Sequence, residues 1–231
     1  MDLRVYDTAE EAAIAAADWL ASALADAVAA RGRASLALSG GRTPWRMLET
    51  LDSASMPWSA LSVYQVDERA VAIDDERRNG QRIAELLVGP HRLAPDRFKP
   101  MPAEQQPLAV AAATYATLLE TDLGSCPVLD VVQLGLGADA HTASLIPGDP
   151  LLEVTDQWVG VSGMYQGTQR LSLTFPVLNA ARFRLWLVTG ADKVDALHAL
   201  MAGDRALPCG RVTGDDSVIF ADAAAAKGVR A

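Results

Sequence analysis

Short apolar runs alternate, along the chain, with stretches whose apolar residues recur every three or four positions. Residues 3–6 form the first run. Thr8 then stands where a helix N-cap belongs. Ile14, Leu20, Leu24 and Val28 follow within an arc of roughly 120° on a helical wheel, the width of a core-facing stripe. Gly32 is placed to end that helix. A buried strand is expected at 35–38, running into Ser39-Gly40-Gly41. Thr43 as N-cap and Pro44 as first helical residue open the next helix, with Trp45, Leu48 and Leu51 inward. The alternation continues with a strand at 61–66 and a helix at 79–88. After a proline-containing loop at 90–107 comes a helix at 108–119. Residues 129–134 are nearly all apolar, as expected of a strand covered on both faces. Strands near 158–161, 171–174 and 183–188, a helix at 192–201, a strand at 218–220 and an Ala-rich C-terminal helix complete the pattern. Strands alternating with helices define an α/β fold: a mostly parallel, doubly wound sheet flanked by helices. The chain reads as a single domain over 1–231, with room for a smaller appended lobe and no repeat or linker.

Composition narrows the partners. The net charge is −9 and no Lys or Arg run occurs, which argues against nucleic acid or a membrane surface. An anionic ligand then requires a few basic side chains to converge locally. The N-terminal MDLRVYDTAEEAA lacks a basic segment followed by an apolar one, so no signal peptide is expected. Acidic residues interrupt the Ala-rich stretch at 10–30, which is not expected to span a bilayer. Cys126 and Cys209 match no metal-ligand spacing and are expected as unpaired thiols in a cytoplasmic protein.

In such folds ligands gather at the carboxyl ends of the strands. Four polar clusters fall there: Ser39-Gly40-Gly41-Arg42-Thr43, Asp67-Glu68-Arg69, the stretch from Gly135 to His141, and Gly190-Ala191-Asp192-Lys193. The segment GLGADA fits a dinucleotide fingerprint, but Pro147 and Gly148 deny it the long helix that motif requires. Ser39 with His198 allows a serine-hydrolase triad on paper, yet the glycines after Ser39 better suit a loop whose N–H groups cradle an anion. A plain tight turn with a capped helix fits the same residues. His141, two positions after Asp139, has the makings of a proton acceptor oriented by a carboxylate. One histidine without neighbouring ligands is a poor metal set, so no metal is expected. Arg170 and Lys193 are unremarkable singly, but together they supply local positive charge.

SGGRTP, VDER, GLGADAHTASLIPG, RLSLTFPVLNAA and TGADK resemble, in order and spacing, the 6-phosphogluconolactonases, over nearly the whole chain. The resemblance implies a cytosolic, cofactor-free and metal-free hydrolase of 6-phospho-D-glucono-1,5-lactone, monomeric or a small homo-oligomer. It implies that His141 is the general base and that Asp139 orients it or contacts the sugar. It further implies that Ser39, Gly40, Gly41, Arg170 and Lys193 hold the 6-phosphate, while Asp67, Glu68 and Arg69 lie at the sugar end. Arg42, Thr43, Asn79 and Gly137 are counted with the same substrate site. Three positions depart from the family. Ala140 replaces a usual glycine, and at positive φ would cost about 1 kcal/mol. Ile146 replaces a phenylalanine. Arg78 replaces a serine, and either adds charge to the site or points to solvent.

Two other readings share this fold. In the related amino-sugar-phosphate deaminases a glutamate assists the histidine, where this chain has Ile146, which cannot relay a proton. A non-catalytic sugar-phosphate binder remains open, although the acidic N-terminal helix offers no DNA-binding segment.

Overall fold

A computed structural model of the chain describes residues 1–51, 55–214 and 216–229. Seven strands form one parallel sheet: β1 (Asp2–Tyr6), β2 (Ala34–Leu38), β3 (Leu61–Gln65), β5 (Phe98–Lys99), β6 (Val131–Leu134), β9 (Phe183–Val188) and β10 (Ser217–Asp222). Their spatial order is β1-β10-β9-β6-β2-β3-β5. From β2 the chain builds outward through β3 to β5, and from β6 in the opposite sense through β9 to β10. The switch point therefore lies between β2 and β6, where such sheets open a crevice.

Why the strand sequences are continuously apolar is visible in how each divides. Trp186 and Val188 of β9 face one core, whereas Leu185 and Leu187 face the other. Ala37 and Val132 belong to the first core, and Leu36, Leu38 and Val131 to the second. The twofold period of a strand sends alternate residues to opposite faces, and both faces are covered. The helices α1 (Ala9–Arg31), α2 (Arg42–Thr50) and α3 (Asn79–Leu87) pack on one side. The helices α4 (Leu108–Leu123), α5 (Phe175–Ala180), α6 (Val194–Ala202) and α7 (Pro208–Arg211) pack on the other.

Helix α1 has the length and composition of a membrane span, but its apolar side is used in the core. A capping box between Thr8 and Glu11 starts it, and Gly32 in the left-handed conformation ends it. Its buried stripe is wider in alanine than the wheel suggested: Ala12, Ala13, Ala16, Ala17 and Ala21 accompany Leu20 and Leu24. Small side chains let the helix approach the sheet closely, which leaves Ile14 outside, 43% exposed.

Three other expectations change. The segments near 158–161 and 171–174 do not join the main sheet. They form β7 (Val159–Val161) and β8 (Arg170–Leu173), which pair antiparallel with each other, and β8 pairs antiparallel with β4 (Asp67–Arg69). Helix α2 begins at Arg42 rather than at Pro44. Gly41, at φ 127°, takes the chain into the helix earlier than Thr43 could, and no side chain caps it. The Ala-rich C-terminal segment forms successive turns over 223–228 rather than a helix. Six residues separate β10 from the end of these turns at Gly228, whose φ of 78° breaks the helical path.

Candidate active site

A cleft of about 290 Å³ opens over the carboxyl ends of β2, β6 and β9, at the switch point. The β2 end contributes Ser39, Gly40, Gly41, Arg42 and Thr43, and the β6 end contributes Gly135, Gly137 and His141. Thr189, Asp192 and Lys193 follow β9, while the small sheet supplies Asp67, Arg69 and Arg170. The antiparallel register sets Arg69 opposite Arg170 and Asp67 opposite Ser172, so residues about a hundred positions apart in the chain meet at one wall.

The turn after β6 is built to present an imidazole. Gly137 N–H donates to His141 O at 2.8 Å and Ala140 N–H donates to Gly137 O at 3.0 Å. His141 Nδ1 lies 2.5 Å from Asp139 Oδ1, and the His141 side chain is 22% exposed, which leaves its other ring nitrogen free to face the cleft. Gly137 is required by close approach: a Cβ there would overlap the His141 ring and the Asp139 carboxylate. Partial burial opposes ionisation of Asp139. The hydrogen bond and charge of His141, with the Tyr165 hydroxyl, outweigh it and hold the carboxyl below its ordinary value. Asp139 does not itself line the cleft, so its place is behind the imidazole.

Ala140 adopts φ 65°, the left-handed region in which glycine is free of penalty. The cost of about 1 kcal/mol is offset by burial of its methyl group, worth about 0.8 kcal/mol, in the larger core. Its carbonyl also accepts from Cys209 N–H at 3.1 Å, which anchors the turn to α7. The departure from glycine therefore leaves the imidazole in place.

Opposite the histidine, cations predominate despite the negative chain. Arg42, Arg69, Arg170 and Lys193 line the cleft against the carboxylates of Asp67 and Asp192. Arg170 is 5% exposed, and its buried Nε has no hydrogen-bond partner among the described residues. Burial pulls its pKa below the usual arginine value, and the nearby Asp67 carboxylate offsets only part of that shift. Lys193 Nζ pairs with the exposed Asp192, at 3.2 Å. With the first N–H groups of α2 nearby, these side chains form a site suited to a dianion.

Other site residues are committed elsewhere. Ser39 donates its hydroxyl to Gln133 O and its N–H to Gln133 Oε1, both at 3.1 Å. His198 sits exposed on α6 against Lys227 O, so the two halves of the serine-hydrolase triad are not assembled. Thr43 bonds the Thr189 hydroxyl at 2.9 Å, tying the β2 and β9 ends together. Asn79 bridges Asp67 O and Arg69, and its amide presses against Gly40, where a Cβ would overlap it. Asp67 accepts from Ser144 at 2.6 Å, on the loop that carries the histidine.

Glu68 corrects the expectation that it lies at the sugar end. It is fully buried and absent from the cleft wall. Its carboxylate accepts from the N–H groups of Arg69, Asn79 and Gly80 and from Gln65, fixing the start of α3. Arg78 likewise neither charges the site nor meets solvent: it is buried, 3.5 Å from Glu68 and 3.0 Å from Glu104, and donates to Met101 O. Ile146 is half-buried and does not line the cleft.

Sequence reasoning missed Tyr165 and Gln166. Tyr165 donates its hydroxyl to Asp139 Oδ2 at 3.1 Å, and Gln166 lines the cleft. The available signal was a glycine, Gly167, a few residues before an expected strand, as in a turn. Among the described residues, no group of three or more His, Cys, Asp or Glu side chains is placed to hold a metal ion.

Known proteins resemble the chain over most of its length. The model of the family described as glucosamine-6-phosphate isomerases/6-phosphogluconolactonase matches residues 7–220. A 6-phosphogluconolactonase from Synechocystis sp. is 39% identical over 181 residues, covering 76% of this chain and 75% of its own. One from Rhizobium meliloti is 35% identical over 212 residues, covering 89% and 90%. The solved 6-phosphogluconolactonase of Trypanosoma cruzi superposes with a TM-score of 0.88 over 100% of this chain and 97% of its own; at 23% identity this is a likeness of fold.

Proposed function

The chain belongs to the family of glucosamine-6-phosphate isomerases and 6-phosphogluconolactonases, and on that premise we propose how its cleft opens 6-phospho-D-glucono-1,5-lactone to 6-phosphogluconate in the pentose phosphate pathway. The observation that carries the mechanism is the convergence, in one cleft, of the Asp139–His141 pair with Arg170 and Lys193. Neutral His141 accepts a proton from water as the water oxygen attacks the C1 carbonyl carbon. The carbonyl becomes a tetrahedral oxyanion, and the ring oxygen leaves as the C1–O5 bond breaks. The imidazolium returns its proton to that oxygen, and the new carboxylic acid ionises into solvent. Asp139 orients the ring and stabilises its transient positive charge. No proton has to cross to a glutamate, and Ile146 provides none, which favours hydrolysis over amino-sugar isomerisation.

Arg170 and Lys193 take the 6-phosphate, with Gly40, Gly41 and Arg42 at the start of α2. Ser39, Thr43 and Asn79 hold that loop in shape. Asp67 and Arg69 face the sugar hydroxyls from β4. A metabolic hydrolase of this kind fits a cytoplasmic location.

Phosphate recognition is tested by comparing the phosphorylated lactone with unphosphorylated glucono-1,5-lactone. Two charge-assisted contacts at about 1.5–3 kcal/mol each predict that kcat/KM falls by about 10²-fold or more when the phosphate is absent. Glucosamine 6-phosphate should release no ammonia. Equal turnover of the two lactones, or ammonia release, contradicts the assignment.

A further inference from the structure

We propose that Tyr165 is a positioning residue that holds the base pair and the phosphate-binding arginine in register; the proposal rests on the lactonase reading above. Three contacts converge on this one side chain. Its hydroxyl donates to Asp139 Oδ2, the carboxylate oxygen that His141 does not use. Its ring meets the His141 ring edge-on, with centroids 5.4 Å apart at 67°. The Arg170 guanidinium lies over the same ring, 5.1 Å from its centroid.

The backbone makes this arrangement rigid. Tyr165 and Thr168 exchange both N–H···O bonds, at 2.9 and 3.3 Å. Between them Gln166 and Gly167 have φ 50° and 84°, two successive positive values as a type I′ hairpin turn requires. Arg170 opens β8 two residues beyond Thr168, so the ring and the guanidinium that covers it ride on one short hairpin. The turn after β6 carries Asp139 and His141, and no direct hydrogen bond joins those residues to Arg170. Tyr165 bridges the two. An anion drawn onto Arg170 is thereby coupled to the orientation of the imidazole, because both press on the same ring.

The hydroxyl also has an electrostatic consequence. It draws part of the Asp139 charge away from His141. The other charged groups lining the same cleft are Asp67 and Arg69 of β4, Arg42 of α2, Arg170 of β8, and Asp192 with Lys193 after β9; of these, Arg170 also feels the Tyr165 hydroxyl. Without it, Asp139 stabilises the imidazolium more strongly, and a base that works in its neutral form needs a higher pH.

The test compares Tyr165→Phe with Tyr165→Leu by steady-state lactone hydrolysis across pH. Tyr165→Phe keeps the ring and loses only the hydrogen bond. Its kcat is expected to fall about 5–10-fold, with KM within about twofold and the acidic limb of kcat/KM moved up by about half a pH unit. Tyr165→Leu, which also loses the face beneath Arg170, is expected to raise KM about tenfold. Wild-type kcat and limb in Tyr165→Phe overturn the positioning role, and equal KM values in the two variants overturn the link to Arg170. The NMR titration of the labelled His141 imidazole in Tyr165→Phe, with His91 and His198 as internal references, decides the matter without turnover. An inactive wild type would defeat the lactonase reading, whereas an unmoved His141 titration would defeat this one.

Discussion

Replacing His141 with Ala is expected to lower kcat for 6-phosphogluconolactone by about 10²–10⁴-fold, the usual contribution of a positioned general base. KM should change little, because the proposed phosphate contacts, Arg170 and Lys193, stand on other elements of the cleft. Stability should also hold, since the ring is partly exposed and its loop is anchored by backbone bonds between Gly137 and His141 and between Ala140 and Cys209. Asp139→Asn, which leaves the ring in place without its carboxylate, should lie between the variant and the wild type. Initial rates corrected for spontaneous opening, set beside thermal melts, separate lost chemistry from lost folding. Full activity in His141→Ala would remove the histidine from the mechanism.

Glu68→Ala should do the opposite, reducing stability first. Its fully buried carboxylate satisfies three backbone N–H groups and sits against Arg78, whose side chain is 2% exposed. Removing one partner of a buried ion pair costs about 3–5 kcal/mol. Glu104, still 3.0 Å from Arg78, keeps the expected loss at the lower end, about 3 kcal/mol. At about 2–4 °C per kcal/mol for a chain of this size, the midpoint should fall by roughly 10 °C. Denaturant unfolding of the variant checks it. Unchanged stability with reduced turnover would return Glu68 to the substrate site.

These two acidic and basic positions show where sequence was legible. The strand ends were readable because uninterrupted apolar runs stop at glycine and polar residues, and that placed His141 and Lys193 at one crevice, whereas Arg170 opens β8 and reaches it from the small sheet. Which carboxylate of Asp67-Glu68 faces the ligand was not readable. That depends on β4 pairing with β8, a contact between segments about a hundred residues apart, which inverts neither residue type nor charge. Arg78 and Glu68 look solvated in a linear text because each one's partner is distant in the chain or hidden by the fold. Tyr165 escaped notice for the same reason: nothing local marks a tyrosine that closes on a carboxylate 26 residues earlier. The start of α2 was misplaced because Gly41 accepts a backbone angle that Thr43 does not need to supply. Which strands pair antiparallel was not readable, because strand propensity carries no information on pairing direction.

The central claim is that this cleft accelerates the opening of 6-phospho-D-glucono-1,5-lactone with His141 as the base. Its most direct measurement is proton release in weak buffer from lactone generated in situ, with and without the wild-type protein. Saturable release well above the spontaneous rate, falling as pH drops and the imidazole takes its proton, is the predicted result. Release no faster than background, from a protein that still binds 6-phosphogluconate, would contradict the account and leave a sugar-phosphate binder in its place.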